Sequence, residues 1–117
     1  MASNQAFIYR LTGDKNKLHV DANESKTVGF EKPIIHGLCT YGFSARAVYD
    51  RYGKGNPASM SKIAGRFTSH VFPGETLIIE MWEKKPNFIY FETKTKERGL
   101  TSLKGYVEFK DETPAKL

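Results

Sequence analysis

The chain has 117 residues, a formal net charge of +5, 39% hydrophobic residues and one cysteine. This length is typical of a single domain with its own core, and one cysteine excludes an internal disulfide and a cysteine-rich metal site. Because the sequence has no apolar run of about eighteen residues and no basic segment followed by an apolar one at its N-terminus, neither a membrane span nor a secretory signal is expected. The basic charge favours an anionic partner, either nucleic acid or a phosphorylated small molecule.

Helical spacing of apolar residues is confined to the first half of the chain. Residues 4–11 predict a short helix, and the polar residues 20–30 predict one helical turn. The one long helix is predicted to begin near Gly37 and to end before Gly53. Apolar or small residues surround most of its circumference, which predicts that other structure wraps it. They are Leu38, Tyr41, Gly42, Ala45, Val48, Tyr49 and Tyr52.

In the second half the pattern changes to that of strands, separated by turns that contain glycine or proline. In the last strand apolar residues alternate with polar or charged ones, so one face of the sheet is expected to be buried and the other solvated. A helical half followed by antiparallel strands is the α+β pattern. The predicted strands cover residues 62–69, 76–84, 88–96 and 100–110.

The stretch between the first two helical segments holds the most concentrated polar chemistry. Asp14, Asn16 and His19 lie close together in sequence, directly behind Gly13. Asp and Asn are common turn residues because their side chains bond their own backbone, so plain turn chemistry is one interpretation. The other is proton transfer, because a carboxylate and an imidazole in one loop can share acid and base roles near neutral pH.

The same stretch also carries a family resemblance. Residues 9–19 followed by Ser25 resemble the signature of the (R)-specific enoyl-CoA hydratases, also called hydratase 2 or MaoC-like dehydratases. Residues 33–46, 64–67 and 71–77 are similar to the same family, most of all to the C-terminal hydratase half of peroxisomal multifunctional enzyme type 2. The resemblance implies a hot-dog fold, in which a curled antiparallel sheet wraps one long central helix. This chain is expected to lack the N-terminal strand of the complete fold.

The resemblance further implies a reaction and a set of roles. Water adds reversibly across trans-2-enoyl-CoA to give a (3R)-hydroxyacyl-CoA, in peroxisomal fatty-acid β-oxidation. Asp14 and His19 would hold the water, Asn16 would orient this pair, and the backbone N–H of Gly37 would meet the thioester carbonyl. A helix start suits that last role, because its first amides lack intrahelical partners and its dipole favours developing negative charge. Within the signature, Lys17 stands where the family usually has proline. Coenzyme A belongs to the substrate, and no metal or redox cofactor is expected.

Coenzyme A would also explain the basic charge. Arg66, with Lys62 and Lys84 behind it, is the candidate for binding its phosphates, and the alternative is that all three are solvated strand residues. His36, just before the long helix, is expected to cap or pack that helix, with a direct contact to substrate as the second interpretation. Nucleic acid is not expected as a partner, because the aromatic residues occupy core-like positions instead of interleaving with exposed basic ones.

The domain organisation follows from the same resemblance. It implies a hot-dog domain over residues 1–112 and a tail over residues 113–117. The tail ends in Ala115, Lys116 and Leu117, which resemble the tripeptide that a peroxisomal import receptor reads, so a peroxisomal location is expected. Because a sheet with a missing edge leaves strand groups unpaired, we expect a homodimer or a second hot-dog half.

Two other functions remain open from the sequence. The first is an acyl-CoA-binding half-module with little or no turnover in the absence of a second hot-dog half. The second is a hot-dog thioesterase, which would use a carboxylate on the central helix. Residues 37–49 contain no carboxylate, which counts against the thioesterase.

Overall fold

Helices occupy the first half of the structure and strands the second, as the sequence predicts. The structure, a computed structural model, describes residues 1–110. Within them, no helix is both long enough and apolar enough to cross a membrane. The elements are helices α1 (Gln5–Arg10), α2 (Ala22–Thr27) and α3 (Gly37–Tyr52), 3₁₀ turns at Lys17–His19 and Pro57–Ser59, and strands β1 (Met60–Phe67), β2 (Leu77–Lys85), β3 (Phe88–Thr95) and β4 (Leu100–Phe109).

The predicted boundaries agree with the structure to within two residues. Helix α3 begins at Gly37 and ends at Tyr52, directly before Gly53. Strand β1 begins two residues earlier than predicted, because Met60 already pairs with Phe109 ahead of an irregularity in the ladder. The long helix and the strands therefore follow the hydrophobic periods of the sequence.

The four strands form one antiparallel sheet in the order β1-β4-β3-β2. Helix α3 packs on one face of it through Val48 and Ser44, both of which are fully buried. Ser44 also shares a hydrogen bond with the hydroxyl of Thr93 on β3. Lys104 on β4 is exposed between buried neighbours, so the alternation predicted for that strand is confirmed. Around Val48 the core contains Ile89, Phe91, Leu103, Val107 and Phe109.

The sheet does not curl around α3, so the predicted wrapping of the helix is wrong for this chain, although the hot-dog fold itself is confirmed. Leu38 is 67% exposed and Phe43 is 40% exposed. An apolar period along a helix indicates which residues are buried, but not whether their own chain or another one buries them. The period therefore predicts more burial of the helix than a single sheet provides. The described residues include no strand before α1.

A close approach between β1 and β4 requires glycine at position 105. A methyl group there would overlap the carbonyl oxygen of Ala64 and crowd Gly65 and Phe91. We expect Gly105→Ala to lower the free energy of unfolding by about 2–3 kcal/mol through overpacking. In Gly42→Ala the added methyl meets nothing within 4 Å, so this helical control should gain about 0.5–1 kcal/mol. Urea unfolding measures both, and equal midpoints for the two variants would contradict the close approach.

Candidate active site

Asp14 and Asn16 shape the turn that leads to His19. Asp14 Oδ1 accepts a hydrogen bond from the Asn16 amide at 3.1 Å, and Asn16 Oδ1 accepts one from the Leu18 amide at 3.0 Å. Asn16 is thereby the N-cap of the 3₁₀ turn Lys17–His19. Both side chains do perform turn chemistry, and the consequence of that chemistry is a fixed position for the imidazole at the end of the turn.

The His19 imidazole is held in one tautomer. Only 9% of the residue is exposed, and its Nδ1 lies 2.8 Å from the carbonyl oxygen of Ile34. Because a carbonyl oxygen can only accept, Nδ1 carries the proton and donates it, and Nε2 of the neutral ring keeps a free lone pair. His19 is thus prepared to accept a proton at Nε2.

His36 contacts both Asp14 and His19. Its ring stacks on that of His19 with the centroids 3.8 Å apart, and its Nε2 lies 3.3 Å from the carbonyl oxygen and 3.9 Å from a carboxylate oxygen of Asp14. Burial lowers the pKa of His36, and so does His19, while the contacts with Asp14 act in the opposite direction without reversing the shift. The His36 imidazole is therefore neutral where it contacts Asp14.

Asp14 is the open member of this cluster. Its side chain is 51% exposed, whereas that of His36 is 2% exposed. One ligand atom from each of Asp14, His19 and His36 lies within 4.8 Å of the others. The rings of His19 and His36 are stacked, with an angle of 24° between their planes. A carboxylate and an imidazole this close can share proton transfer to and from one water.

A cavity of about 360 Å³ joins His19 to the start of α3. Gly37, the first residue of that helix, borders it, and its amide has no intrahelical partner. The Phe67 ring lies over Gly37, only 3.2 Å from where a methyl group would be, so a side chain at this position would displace the ring. The remaining lining residues are Phe30, Ile34, Ile35, Thr40, Ser69, His70 and Val71.

The basic candidates lie apart from this cluster. Arg66, Lys62 and Lys84 project from the face of the sheet opposite to α3, since the intervening residues of β1 and β2 face the core. Arg66 precedes Phe67 and lines an open groove with Tyr90, Lys104 and Tyr106. Lys62 and Lys84 lie at the other end of the sheet, Lys62 about 13 Å along β1 from Arg66 by strand geometry.

The domain profile of one family matches nearly the whole chain. The MaoC-like domain aligns with residues 1–105. The chain belongs to the MaoC-like domain family. This confirms the resemblance read from the motifs around Asp14 and Gly37.

Longer proteins contain relatives of this MaoC-like domain. "Enoyl-CoA hydratase 2, peroxisomal" of Arabidopsis thaliana is 51% identical over 106 residues, which cover 91% of this chain and 34% of the relative. Peroxisomal multifunctional enzyme type 2 of Mus musculus is 50% identical over 96 residues, 82% of this chain and 13% of the enzyme. The crystal structure of a MaoC-like dehydratase from Phytophthora capsici superposes with a TM-score of 0.92 at 38% identity, over 96% of this chain and 40% of that one. The chain thus spans about a third of the length of the Arabidopsis relative.

Two residues of the MaoC-like domain that sequence reasoning did not select also border the cavity, namely Thr40 and His70. The signal for Thr40 was its position one helical turn after Gly37. His70 precedes the Val71–Leu77 segment, and only the structure shows that this segment returns to the start of α3, where Ile35 donates its amide to the Val71 carbonyl at 2.7 Å. His36 was selected, but its packing between Asp14 and His19 could not be read from the sequence.

Lys17 offers a test of the turn in this MaoC-like domain. The residue before a proline must be extended, and Asn16 already has φ −60° and ψ 123°. Lys17 opens the 3₁₀ turn, where proline is favoured. We expect Lys17→Pro to raise the free energy of unfolding by about 0.4–1 kcal/mol by restricting the unfolded chain, while the position of His19 is kept. Thermal unfolding measures the effect. Lys15→Pro is the comparison, because its ring would remove the amide next to Asp14. A lower Tm for Lys17→Pro than for the parent would contradict the expectation.

Proposed function

We propose that this chain is the catalytic half of an (R)-specific enoyl-CoA hydratase, which adds water reversibly to trans-2-enoyl-CoA to give a (3R)-hydroxyacyl-CoA. The observation that supports this most is the cavity that His19 shares with Gly37, together with the clustering of the Asp14 carboxylate beside His19. The relatives of this domain that are named peroxisomal enoyl-CoA hydratase 2 and peroxisomal multifunctional enzyme type 2 support the same activity.

The reaction needs one water and two proton-transfer groups. Nε2 of His19 and the exposed carboxyl group of Asp14 would hold a water between them, with one proton shared by the two groups. The group without that proton takes one from the water as the oxygen attacks C3 of the enoyl chain. The electron pair of the double bond moves toward the thioester carbonyl, where the Gly37 amide stabilises the enolate oxygen. The other group delivers its proton to C2, so hydroxyl and hydrogen add on the same side, and the proton taken from the water then restores it. We assign the acid and base roles to Asp14 and His19 together and not to one residue each.

The remaining roles follow from where the residues lie. Asn16 positions His19 by capping its turn, and His36 supports the Asp14 carboxylate. We propose that Arg66 contacts the phosphates of coenzyme A, because it is the basic candidate nearest to Phe67 at the cavity wall, with Lys62 and Lys84 as more distant contributors of positive potential. Water addition changes no oxidation state, and we propose that it proceeds without a metal or redox cofactor.

Loss of enoyl-thioester absorbance tests the activity directly. Crotonyl-CoA and a medium-chain enoyl-CoA are supplied to the protein, and the stereochemistry of the product is determined by chiral analysis. Formation of the (3R) alcohol supports the hydratase. Binding without turnover would favour the half-module, release of free coenzyme A would favour the thioesterase, and the (3S) alcohol would refute the proposed specificity.

We propose that the exposed apolar residues of α3 are covered by a second copy of this chain or by a second hot-dog half. Leu38 and Phe43 are large apolar residues exposed on one helix, and exposed apolar surface of this kind marks a site that another protein covers. The Arabidopsis and mouse relatives are also several times longer than this chain. Light scattering during gel filtration measures the assembly. A monomer at micromolar concentration, without any other hot-dog domain present, would refute the homodimer.

We also propose a peroxisomal location, mediated by an import receptor that reads Ala115, Lys116 and Leu117. These three residues lie outside the described part of the chain, and the support is their sequence together with the peroxisomal names of the relatives. A fluorescent fusion with and without the tripeptide tests the proposal. Equal distribution of both forms would contradict it.

A further inference from the structure

Thr40 carries a buried hydroxyl that the proposed reaction has not yet used. The residue is 2% exposed, and its Oγ1 has no hydrogen-bond partner among residues 1–110. An unpaired buried hydroxyl lowers the stability of the folded protein. A helical threonine ordinarily avoids this cost by donating to the carbonyl four residues earlier, which here belongs to His36. That bond is not made, so the hydroxyl is unpaired, as is the buried Nδ1 of His36.

The backbone around Thr40 is already occupied, which leaves only its hydroxyl for a ligand. Its amide donates to the His36 carbonyl at 3.3 Å, and its carbonyl accepts from the Ser44 hydroxyl at 2.9 Å. Ser44 in turn is tied to Thr93 on β3. The position of Thr40 is therefore fixed by the helix and by the sheet beneath it.

Thr40 shares the site with the Gly37 amide. The two residues are three positions apart and so lie on the same face of α3, and helical side chains lean toward the N-terminus. The Thr40 side chain thus covers the turn that Gly37 opens. Both residues line the cavity that contains His19, and Thr40 is the one residue of α3 beyond Gly37 that does so among the described residues.

We propose that the Thr40 hydroxyl donates a second hydrogen bond to the thioester carbonyl oxygen of the enoyl-CoA, beside the Gly37 amide. This inference rests on the proposed hydratase function and deepens it. The bond strengthens as negative charge develops on that oxygen, so it stabilises the enolate more than the bound substrate. Binding of the carbonyl also satisfies the hydroxyl that the free protein leaves unpaired.

Two substitutions separate this role from packing. Thr40→Val keeps the shape and removes the hydroxyl, whereas Thr40→Ser keeps the hydroxyl and removes the methyl group. We expect kcat/KM for crotonyl-CoA to fall about 100-fold in Thr40→Val, mostly through kcat, and to stay within a few-fold of the parent in Thr40→Ser. Thr40→Val should unfold no earlier than the parent, because it removes an unpaired polar group. A packing role alone gives the reverse order, with Thr40→Ser the worse variant.

An infrared measurement on the assembled full-length protein supplies a second readout. Butyryl-CoA labelled with ¹³C at the thioester carbonyl is bound, and the carbonyl stretch is compared with that in water. We expect a smaller lowering of this frequency in Thr40→Val than in the parent or in Thr40→Ser.

The outcomes distinguish the inference from the function beneath it. If the parent hydrates crotonyl-CoA and Thr40→Val does so equally well with an unchanged carbonyl frequency, the inference is overturned and the hydratase stands. If the parent neither hydrates crotonyl-CoA nor binds butyryl-CoA, both are overturned together.

Discussion

Replacing Asp14 by asparagine is expected to lower kcat for the hydration of crotonyl-CoA by about 10²–10⁴-fold, the usual contribution of a positioned acid or base. Asparagine retains an oxygen that can accept the hydrogen bond from the Asn16 amide, which Asp14 Oδ1 accepts at 3.1 Å. The turn should therefore keep its shape, and the loss should come from the missing proton-transfer group. Stopped or continuous absorbance measurements of the enoyl thioester give kcat and KM separately.

Asp50→Asn is the matched control for this substitution. Asp50 is 56% exposed on α3, and its carboxylate pairs with the exposed Arg46 four residues earlier, so its loss should change kcat by less than about two-fold. The two variants alter the net charge equally. Similar kcat values for the two variants would remove Asp14 from the proposed mechanism.

The proposed pairing of Asp14 with His19 also predicts the activity of the double variant. Because the two groups handle one water, His19→Gln combined with Asp14→Asn should lose little more activity than the worse of the single variants. Multiplicative losses would mean that the two residues act independently.

The hydrophobic periods of the sequence were sufficient to predict the long helix and the strands that pack on one another. Helix α3 and strand β4 have continuous patterns over long stretches, both form where these patterns predict them, and β4 has its predicted buried face. Motif spacing was likewise sufficient to place Asp14 and His19 close together, because the hydrogen bonds of the turn between them are local. Local interactions of this kind leave their signature in consecutive residues.

What the sequence did not provide depends on contacts between distant segments. His36 meets Asp14 across 22 positions, and Thr40 loses its ordinary helical hydrogen bond in a cavity wall completed by Val71. Likewise, alternation along β1 could indicate that Lys62 and Arg66 share a face, but not which end of the sheet approaches Gly37. The exposed side of α3 shows the same limit, because its apolar pattern does not say which chain covers it.

A second large effect is expected at the segment that closes the cavity from the strand side. Glu75 is 7% exposed, and its carboxylate accepts hydrogen bonds from Arg98 Nη2 at 2.7 Å and Arg98 Nε at 2.8 Å. It also accepts one from the Phe72 amide at 2.6 Å. Arg98 donates further to the His70 carbonyl at 2.8 Å, so the ion pair holds residues 70–75 beside the site.

Glu75→Gln should lower the free energy of unfolding by about 2–3 kcal/mol, because it leaves the guanidinium of Arg98 without a counter-charge. This value is below the range for completely buried pairs, since 24% of the Arg98 side chain remains exposed. The corresponding decrease in Tm is about 10 °C for a domain of this size. Glu80→Gln is the control, because the Glu80 pair with Lys94 is 2.6 Å long but 40% and 38% exposed, so solvent screens it and its loss should change stability much less.

The pH dependence of unfolding identifies the charge on Glu75 as the cause. Burial by itself raises the pKa of Glu75, but the hydrogen bonds from Arg98 and from the Phe72 amide outweigh burial and hold the pKa below its usual 4.5. A carboxyl whose pKa is lowered by folding stabilises the protein above pH 4.5, and this stabilisation disappears as the pH falls through the folded-state pKa.

Urea midpoints of the parent protein should therefore fall more steeply with acid below pH 4.5 than those of Glu75→Gln, and the two curves should approach each other there. His36 also has a pKa lowered by burial, but its effect on stability begins below its usual pKa of 6.5 and is common to both proteins. The pKa of His70 is lowered by burial and by Arg98, while Glu75 acts in the opposite direction, so its effect differs between the two proteins and the comparison is made below pH 4.5. Parallel curves, or a Glu75→Gln midpoint equal to that of Glu80→Gln, would show that the ion pair does not fix the segment beside the cavity.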